Sequence, residues 1–415
     1  MTLIKPFCCI RPSADAAFHV AALPYDVYSR KEAKAETERE PLSFLKIDRA
    51  ETQFPDEIDT YDACVYKKAG ETLNAMIQDG TLITEQTPCY YLYELTMGTH
   101  VQTGIVACSS VDDYLNGVIK KHENTREDKE QDRICHVDVT NAHTGPIFLA
   151  YRFREELGEL VKEVKKEEPI YDFVSPDGIG HRVFRISEGE RLTRITEALK
   201  ETACTYIADG HHRAASAVKV ALKRREAQTD YTGDEEFNYF LSVLFPDTEL
   251  QILPYNRVVK DLNGLSETEF LKAIERNFEV KIEGQAKTDG YMPGKKGTFG
   301  MFLGGIWYEL SAKPAICSND PVNGLDVSIL QDYLLEPILG IMDPRTDQRI
   351  AFIGGIRGLN ELERRVSEDM AVAFSMYPTS MDELLRVADA GLLMPPKSTW
   401  FEPKLRSGIF IHRLT

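Results

Sequence analysis

One short stretch constrains this chain more than any other: the pentad Asp209-Gly210-His211-His212-Arg213 joins a strand pattern to a helix pattern. Residues 205–208 (TYIA) precede it and predict a short buried strand. Alanine, valine and leucine follow it at helical spacing between residues 214 and 222. The sequence therefore predicts a strand, a glycine turn and a helix start in direct succession.

The residue types of the pentad suit a phosphate site. A helix start offers unpaired N–H groups and the positive end of a dipole, and both favour anions. Gly210 lets a ligand approach the backbone closely, and Arg213 can hold a phosphate with two donors. The alternative is that Asp209 only caps the helix and that both histidines are solvated. We favour the phosphate site because a cap requires the aspartate but not the four residues after it.

Composition narrows the classes of protein. The chain has 415 residues, enough for two or three domains, and its 43% hydrophobic and 28% charged content is that of an ordinary globular protein. The net charge of -17 argues against general binding of nucleic acid or acidic membranes. We find no signal peptide and no run of the roughly 18 apolar residues that a membrane span needs, so we expect a cytoplasmic protein. The eight cysteines lack paired zinc-type spacing, so we expect them reduced and mostly buried.

Strand and helix patterns alternate along the chain without a regular βαβ array, which indicates an α+β fold. The apolar spacing over residues 61–80 predicts a helix closed by Gly80. We predict a hairpin from residues 89–95 and 102–108, a strand over 41–47, and a strand pair from 240–245 and 250–254. Further on, two capping boxes (Ser266 with Glu269, Ser380 with Glu383) predict helix starts. We predict three segments: an N-terminal α/β segment at 1–100, a phosphate-binding core at 101–260 and a C-terminal α+β domain at 261–415.

Three other clusters carry polar side chains that suit chemistry. His122 and Glu123 stand together, with Arg126 close by, and a glutamate among such neighbours can act as a general base. The charged run over residues 120–133 also fits a solvated helix face. Residues 394–404 contain two prolines and several cationic and hydroxyl donors, which suit an anion-holding lid as well as they suit a surface connection. The sequence GGIRG at 354–358 is neither a Walker nor a Rossmann motif, and we predict a structural turn there.

Five motifs together resemble a widespread prokaryotic family that is catalogued as a domain of unknown function. They are PYDV at 24–27, QTGIVA at 102–107, HENTR at 122–126, DGHHR at 209–213 and PPKST at 395–399. The central part of that family is similar to the ParB/sulfiredoxin-like fold, whose superfamily includes free serine kinases with a His-Glu pair and then the same pentad. The resemblance implies a ParB/sulfiredoxin-like mixed-sheet core with added N-terminal and C-terminal α/β elements.

The same resemblance assigns roles to residues. It implies that Glu123 takes the proton from a substrate hydroxyl and that Asp209 orients the nucleophile or holds Mg²⁺. We expect phosphate or nucleotide binding by His122, Arg126, Gly210, His211, His212, Arg213, Lys397, Ser398 and Thr399. We expect Tyr25 and Asp26 to contact the substrate, although Asp26 also fits a turn that it stabilises itself.

The expected function is a Mg²⁺-dependent small-molecule phosphotransferase acting on free serine or a similar hydroxylated metabolite. The sequence leaves ADP, ATP and pyrophosphate open as the donor, and it predicts no nucleic-acid or membrane partner. Two alternatives stay open: a phosphohydrolase acting on phosphoserine, and a nucleotide-binding regulator without turnover. Because phosphoryl transfer depends on positioning and charge neutralisation, the same residues would serve the transferase and the phosphohydrolase.

Overall fold

A computed structural model describes residues 2–125, 127–187, 189–228, 230–285 and 290–415. It divides the chain into two compact units. Unit 1 comprises Met1–Lys121, Thr125–Leu250 and Pro403–Thr415, and unit 2 comprises His122–Asn124 and Gln251–Glu402. The three-segment division with boundaries at residues 100 and 260 stays a prediction, since units compact in space need not follow segments of sequence.

Unit 1 is built on a large mixed sheet with helices around it. Its strands, up to the point where the chain enters unit 2, are β1 (Ile4–Lys5), β2 (Ile10–Pro12), β3 (Leu82–Thr84), β4 (Tyr90–Met97), β5 (His100–Ser110), β6 (Ile119–Lys120), β7 (Ala142–His143), β8 (Ile147–Tyr151), β9 (Tyr171–Val174), β10 (Gly180–Ile186), β11 (Thr205–Asp209) and β12 (Tyr239–Pro246). Its helices are α1 (Ala17–Val20), α2 (Arg30–Arg39), α3 (Leu45–Asp48), α4 (Ala63–Gln78), α5 (Val111–Leu115), α6 (Glu127–Thr140), α7 (Glu155–Val164), α8 (Glu190–Lys200) and α9 (His211–Ala227).

The main sheet of unit 1 has the order β6-β11-β8-β12-β5-β4-β10-β9, with β1 added beside β5. Most of its pairs are antiparallel, but β11 runs parallel to β6 and β12 runs parallel to β8. Strands β5, β8 and β12 are buried almost throughout, as a central position in a covered sheet requires. The sheet therefore fixes the end of β11, where the pentad begins, inside a packed framework.

Unit 2 has an antiparallel sheet with the order β15-β17-β16-β19-β14-β18. The strands of unit 2 are β13 (Gln251–Leu253), β14 (Tyr255–Val259), β15 (Phe278–Gln285), β16 (Thr298–Leu303), β17 (Ile306–Ala312), β18 (Ile350–Gly354), β19 (Val372–Met376) and β20 (Trp400–Glu402). Its helices are α10 (Glu267–Ile274), α11 (Asp326–Leu330), α12 (Gly358–Glu368) and α13 (Met381–Asp389), and a π-helical segment (Gln331–Leu335) follows α11. Strand β13 pairs with β20. The chain then returns to unit 1, where β21 (His412–Arg413) pairs with β7.

The α+β class is confirmed, and so are several local predictions. The predicted helix is α4, whose N-cap Asp62 accepts a hydrogen bond from the Cys64 N–H and whose end is followed by Gly80 at φ 81°. The predicted hairpin is formed by β4 and β5. Both capping boxes are present, at Ser266 and at Ser380. Turn and cap chemistry is local, so a single sequence carries it well.

Two strand predictions are wrong. Residues 41–47 form a turn and then α3, because Phe44, Leu45 and Ile47 are all buried, a spacing that suits a helical turn better than an alternating strand. Residues 240–245 and 250–254 do not form a pair. Strand β12 pairs with β5 and β8, while β13 pairs with β20, because a 3-10 turn (Asp247–Glu249) redirects the chain between them.

All eight cysteines are free thiols, as expected of a reduced protein. Burial was predicted for most of them, but Cys8, Cys64 and Cys317 are exposed. No helix in the described ranges combines the length and the apolar character that a bilayer crossing demands.

Gly408 supplies a test of the packing in unit 1. Its φ is 84°, and a Cβ there would lie 2.5 Å from Phe44, so Gly408→Ala should lose stability through both backbone strain and overpacking. The two effects are worth about 1–2 and about 1–3 kcal/mol respectively. The thermal unfolding midpoint measures the sum.

Gly80→Ala is the matched control, because Gly80 has φ 81° and no heavy atom within 4 Å of the added Cβ. It should carry the backbone strain alone and lower the midpoint less. Equal midpoints for the two variants would contradict the close packing of Phe44 against Gly408.

Candidate functional site

The pentad forms the junction between β11 and α9, as the sequence predicts. Strand β11 ends at Asp209, Gly210 occupies the N-cap position at φ 94°, and α9 begins at His211. A Cβ at Gly210 would lie 3.0 Å from the Nε of Arg213, so glycine is needed both for the left-handed backbone and for the close approach of the guanidinium. No side chain caps this helix, which makes the capping role for Asp209 wrong.

Asp209 is instead paired with a lysine from far along the chain. The Lys404 Nζ donates a hydrogen bond to Asp209 Oδ2 at 2.8 Å. Burial by itself raises the pKa of Asp209, but the charges of Lys404 and Arg213 and the Lys404 hydrogen bond outweigh it and hold this pKa well below its usual value. Asp209 is therefore a carboxylate at neutral pH.

Three side chains with donor nitrogens follow Asp209 on the first turn of α9. His211 is buried, while His212 and Arg213 are half-buried. The Arg213 Nη1 donates to the carbonyl of Pro146, and within the described ranges no carboxylate forms an ion pair with Arg213. Its remaining donors suit an anion that the protein does not itself supply.

Arg213 also lines a pocket within unit 1, which we name the Arg213 pocket. It contains about 470 Å³ of space not filled by protein atoms, part of it open to solvent. The residues that line it supply two guanidinium groups, three aromatic rings and several hydroxyl or carboxylate groups. They are Pro24, Tyr25, Asp48, Arg133, His136, Val137, His143, Thr144, Gly145, Ile147, Arg213, Leu241 and Ser407. Two of the motifs singled out in the sequence, PYDV and DGHHR, thus meet in one pocket.

Tyr25 is held in this pocket by two arginines. Its ring lies beneath the Arg133 guanidinium, 4.0 Å from the ring centroid, and its carbonyl accepts a hydrogen bond from Arg49 at 2.9 Å. Burial raises the pKa of Tyr25 to about 12, although Arg133 and Arg213 lower it, so the phenol stays protonated. The neighbouring Asp26 is exposed and does not line the pocket.

The charged run at 120–133 is not a solvated face where it enters α6. Glu130, Asp132 and Arg133 are all buried. The Glu130 carboxylate accepts hydrogen bonds from Thr125 and from Lys219 of α9, and the Arg133 Nε donates to Asp132 at 3.0 Å. The prediction of a solvated helix face is therefore wrong for these three residues, because α6 packs against α9 with its charges already paired. Arg126 lies outside the described residues.

In unit 2, His122 of the HENTR motif contacts the loop that carries the PPKST motif. The Met394 N–H donates to the His122 carbonyl at 2.8 Å, and the Thr399 hydroxyl lies 3.5 Å from His122 Nε2. His122 is buried and Glu123 is half-buried. The predicted site residues are thus divided: Tyr25, Asp26 and the pentad belong to unit 1, whereas His122, Glu123 and the PPKST residues belong to unit 2.

The PPKST loop has an internal structure of its own. Lys397 is exposed and adopts a left-handed conformation at φ 57°. Ser398 is buried and its hydroxyl donates to the Pro395 carbonyl at 2.6 Å, so this hydroxyl stabilises the loop. The buried Arg257 donates to the Lys397 carbonyl at 3.1 Å, which ties the loop to β14. Burial lowers the pKa of Arg257 to about 10.

Sequence analysis missed two residues here. Lys404 stands at the end of the 394–404 loop in the sequence, and nothing local connects it with Asp209, 195 positions away. Arg257 stands in an apolar strand without a recognisable motif. The GGIRG turn is structural, as predicted, because Cβ atoms at Gly354 and Gly355 would lie 2.8 Å from Trp400 and 2.7 Å from Pro254.

A carboxylate that stays ionised can contribute an oxygen ligand to Mg²⁺. Asp209 meets this requirement, and its Oδ1 has no hydrogen-bond partner in the described part of the chain. Magnesium commonly takes only one or two protein carboxylates and keeps several waters, so a single aspartate fits such a site. His211, His212 and Arg213 suit the oxygens of a phosphate.

Comparison with known proteins gives one family. The profile described as "Protein of unknown function (DUF1015)" matches residues 4–328. No curated protein matches the chain.

Among solved structures, a conserved hypothetical protein from Pyrococcus furiosus is similar at 12% identity and a TM-score of 0.34, over 74% of this chain and 95% of that one. A free serine kinase in complex with AMP is similar at 13% identity and a TM-score of 0.34, over 73% of this chain and 91% of that one. SbnI with a C-terminal truncation, from Staphylococcus aureus, has 11% identity and a TM-score of 0.38, over 73% and 85%.

The ion pair of Asp209 predicts a pH-dependent stability. Because the pKa of Asp209 is lowered on folding, the pair stabilises the protein above the unfolded-state pKa of about 3.9, and this contribution is lost as the pH falls towards the folded-state pKa. Lys404→Met should therefore cost about 1–2 kcal/mol at pH 7 and less at pH 3. Urea unfolding at the two pH values measures the difference.

Lys223→Met is the control, since Lys223 pairs with Asp138 on the surface and its side chain is 65% exposed. It should change stability by less than about 0.5 kcal/mol at pH 7. A cost for Lys404→Met that stays constant between pH 7 and pH 3 would show that Asp209 is not the ionised partner.

Proposed function

The chain belongs to the DUF1015 family, and we propose that it is a Mg²⁺-dependent phosphotransferase that moves a phosphoryl group to the hydroxyl of a small metabolite such as free serine. The donor is a nucleotide (ADP or ATP) or pyrophosphate. The observation that carries the proposal is the junction at Asp209, where an ionised carboxylate and the cationic and imidazole donors of the pentad are gathered at a helix start beside a pocket.

The chemistry of phosphoryl transfer suits such a junction. The transferring group bears negative charge on its oxygens, and a protein accelerates the reaction mainly by positioning the reactants and neutralising that charge. The N-terminus of α9, a helix of 17 residues, directs the positive end of its dipole there, and Arg213 adds donors that no protein carboxylate in the described ranges occupies. His211 and His212 extend this donor set.

In this proposal Asp209 holds the metal. Its lowered pKa keeps the side chain in the carboxylate form, which is the form in which an aspartate coordinates Mg²⁺. When bound, the ion would neutralise phosphate charge. Lys404 positions the carboxylate from the side of Oδ2 and leaves Oδ1 as the ligand atom.

The role of Glu123 comes from the resemblance to the free serine kinases. There the glutamate of the His-Glu pair is the proton acceptor, and here Glu123 occupies the matching position in HENTR. The hydroxyl oxygen of the acceptor bonds to phosphorus, the bond from phosphorus to the leaving oxygen breaks, and the hydroxyl proton passes to the Glu123 carboxylate. The acceptor leaves as a phosphate monoester, and the donor leaves one phosphate shorter.

One assay separates this activity from its alternatives. The protein is incubated with Mg²⁺, serine and each donor in turn, and separately with phosphoserine, while ³¹P NMR follows the products. Formation of phosphoserine supports the transferase. Release of phosphate from phosphoserine without transfer to serine would show that the protein is a phosphohydrolase. Donor binding without turnover would show that it is a nucleotide-binding regulator.

Replacement of the proposed base should abolish most of the turnover. Glu123→Gln should lower kcat by about 10²–10⁴-fold while leaving donor binding intact, because a general base contributes about that much to rate and little to affinity. Glu127→Gln, an exposed position at the start of α6, is the control and should keep wild-type kcat. Full activity in Glu123→Gln would remove the glutamate from the mechanism.

Replacement of a side chain that donates a hydrogen bond to phosphate should instead lower the affinity for the phosphate donor. His212→Ala should raise the KM for the phosphate donor about 10-fold, the cost of a charge-assisted hydrogen bond, with a smaller change in kcat. Steady-state kinetics at varied donor concentration measures this separation. An unchanged KM together with a large fall in kcat would mean that His212 acts only in the transition state.

A further inference from the structure

The Arg213 pocket contains a buried histidine that the proposed reaction does not use. His143 lies in β7, is 6% exposed and lines the pocket. Its Nε2 is buried and has no hydrogen-bond partner within the described ranges. A buried polar atom without a hydrogen-bond partner destabilises the fold, and most buried polar atoms in proteins have a partner. This nitrogen therefore points to a group that the chain does not itself contribute.

The other nitrogen of His143 belongs to a chain of hydrogen bonds. Its Nδ1 lies 3.3 Å from the Nδ1 of His412, and the Nε2 of His412 lies 2.7 Å from Glu236 Oε2. Burial lowers the pKa of His143 and, against the opposing effect of Glu236, that of His412, so both imidazoles are neutral at pH 7. Each neutral ring carries one N–H.

The positions of the protons follow from this chain. A carboxylate only accepts, so the N–H of His412 must be at Nε2, where it donates to Glu236. His412 Nδ1 is then an acceptor, and His143 Nδ1 must donate to it. The unpartnered Nε2 of His143 is left with a lone pair, and it accepts a hydrogen bond from whatever occupies that part of the pocket.

Two comparisons within the pocket sharpen this requirement. His136 also lines the pocket and is buried, but its Nε2 is satisfied by the Ile47 carbonyl at 3.0 Å. Arg213 lines the pocket with donors that no described carboxylate pairs with. Among the described residues that line the pocket, His143 Nε2 is thus an acceptor without a partner, and Arg213 is a cation without a paired carboxylate.

We infer that the Arg213 pocket binds a small hydroxy acid, whose anionic group pairs with Arg213 and whose hydroxyl donates a hydrogen bond to His143 Nε2. Glu236 and His412 are positioning residues that fix the tautomer of His143. The inference goes beyond the proposed function and does not rest on it, because the hydroxyl that His143 Nε2 holds is not the one whose proton passes to Glu123.

The first experiment uses the wild-type protein without metal or nucleotide. Long-range ¹H–¹⁵N NMR of protein labelled with ¹⁵N-histidine should show His143 protonated at Nδ1 and His412 at Nε2. Lactate, glycerate, malate and serine are then added in turn. At least one should shift the His143 Nε2 resonance while the His136 resonances move much less.

Two analogues test the two contacts of the hydroxy acid. Propionate has no hydroxyl and glycerol has no anionic group, so each should bind at least 10-fold more weakly than the best hydroxy acid. If no hydroxy acid shifts His143, or if propionate shifts it equally well, the inference is overturned and a water molecule satisfies Nε2. If a hydroxy acid binds but no phosphoryl transfer to any acceptor occurs, the proposed function fails and the binding site stands.

A surface substitution tests the positioning chain without disturbing the core. Glu236→Met removes the acceptor that fixes His412, and the Glu236 side chain is 41% exposed, so the fold should be retained. The two imidazoles should then populate both tautomers, and affinity for the hydroxy acid should fall at least 3-fold while affinity for propionate stays the same. Lys5→Met is the control, because it removes the ion pair of Glu236 with Lys5 at 3.1 Å and leaves the acceptor. Unchanged tautomers in Glu236→Met would exclude a positioning role.

Discussion

The candidate site depends on the stabilisation of one half-buried negative charge. Asp209 stands where a strand ends and a helix begins, in surroundings that by themselves favour the neutral acid. Lys404 and Arg213 supply the positive charge that keeps it ionised, and Gly210 supplies the left-handed backbone that lets the guanidinium approach. The backbone conformation, the side-chain charges and the helix dipole act on the same few atoms. The contribution of each of these residues to the site therefore depends on the others.

Much of this junction could be predicted from sequence because its causes are local. The alternation before Asp209, the glycine and the helical spacing after it are all within 20 residues, and the structure forms the strand, turn and helix accordingly. The lysine partner could not be predicted in this way. Lys404 is 195 positions away, and its pairing with Asp209 depends on how the last segment of the chain packs in unit 1.

The predictions for residues 41–47 and for the charged run are also wrong because tertiary contacts, which a local pattern does not contain, decide both structures. Residues 41–47 have a short apolar pattern that fits a strand or a helical turn, and only the tertiary packing of Phe44 and Leu45 decides between them. The charged run before and within α6 has the composition of a solvated surface, yet Glu130 and Arg133 find partners and are buried. Composition predicts exposure only where no partner of opposite charge is available.

The order of the two units along the chain has a consequence for protein synthesis. Unit 2 is inserted into unit 1, so Asp209 leaves the ribosome long before Lys404 does. At about 5–20 residues per second, the 195 intervening positions take roughly 10–40 s. During that interval the nascent pentad has no ammonium partner, and the pocket lacks Ser407 as well as the imidazole of His412 beside it. Anion binding by the pentad is thereby disfavoured until the segment that carries Lys404, Ser407 and His412 has been translated.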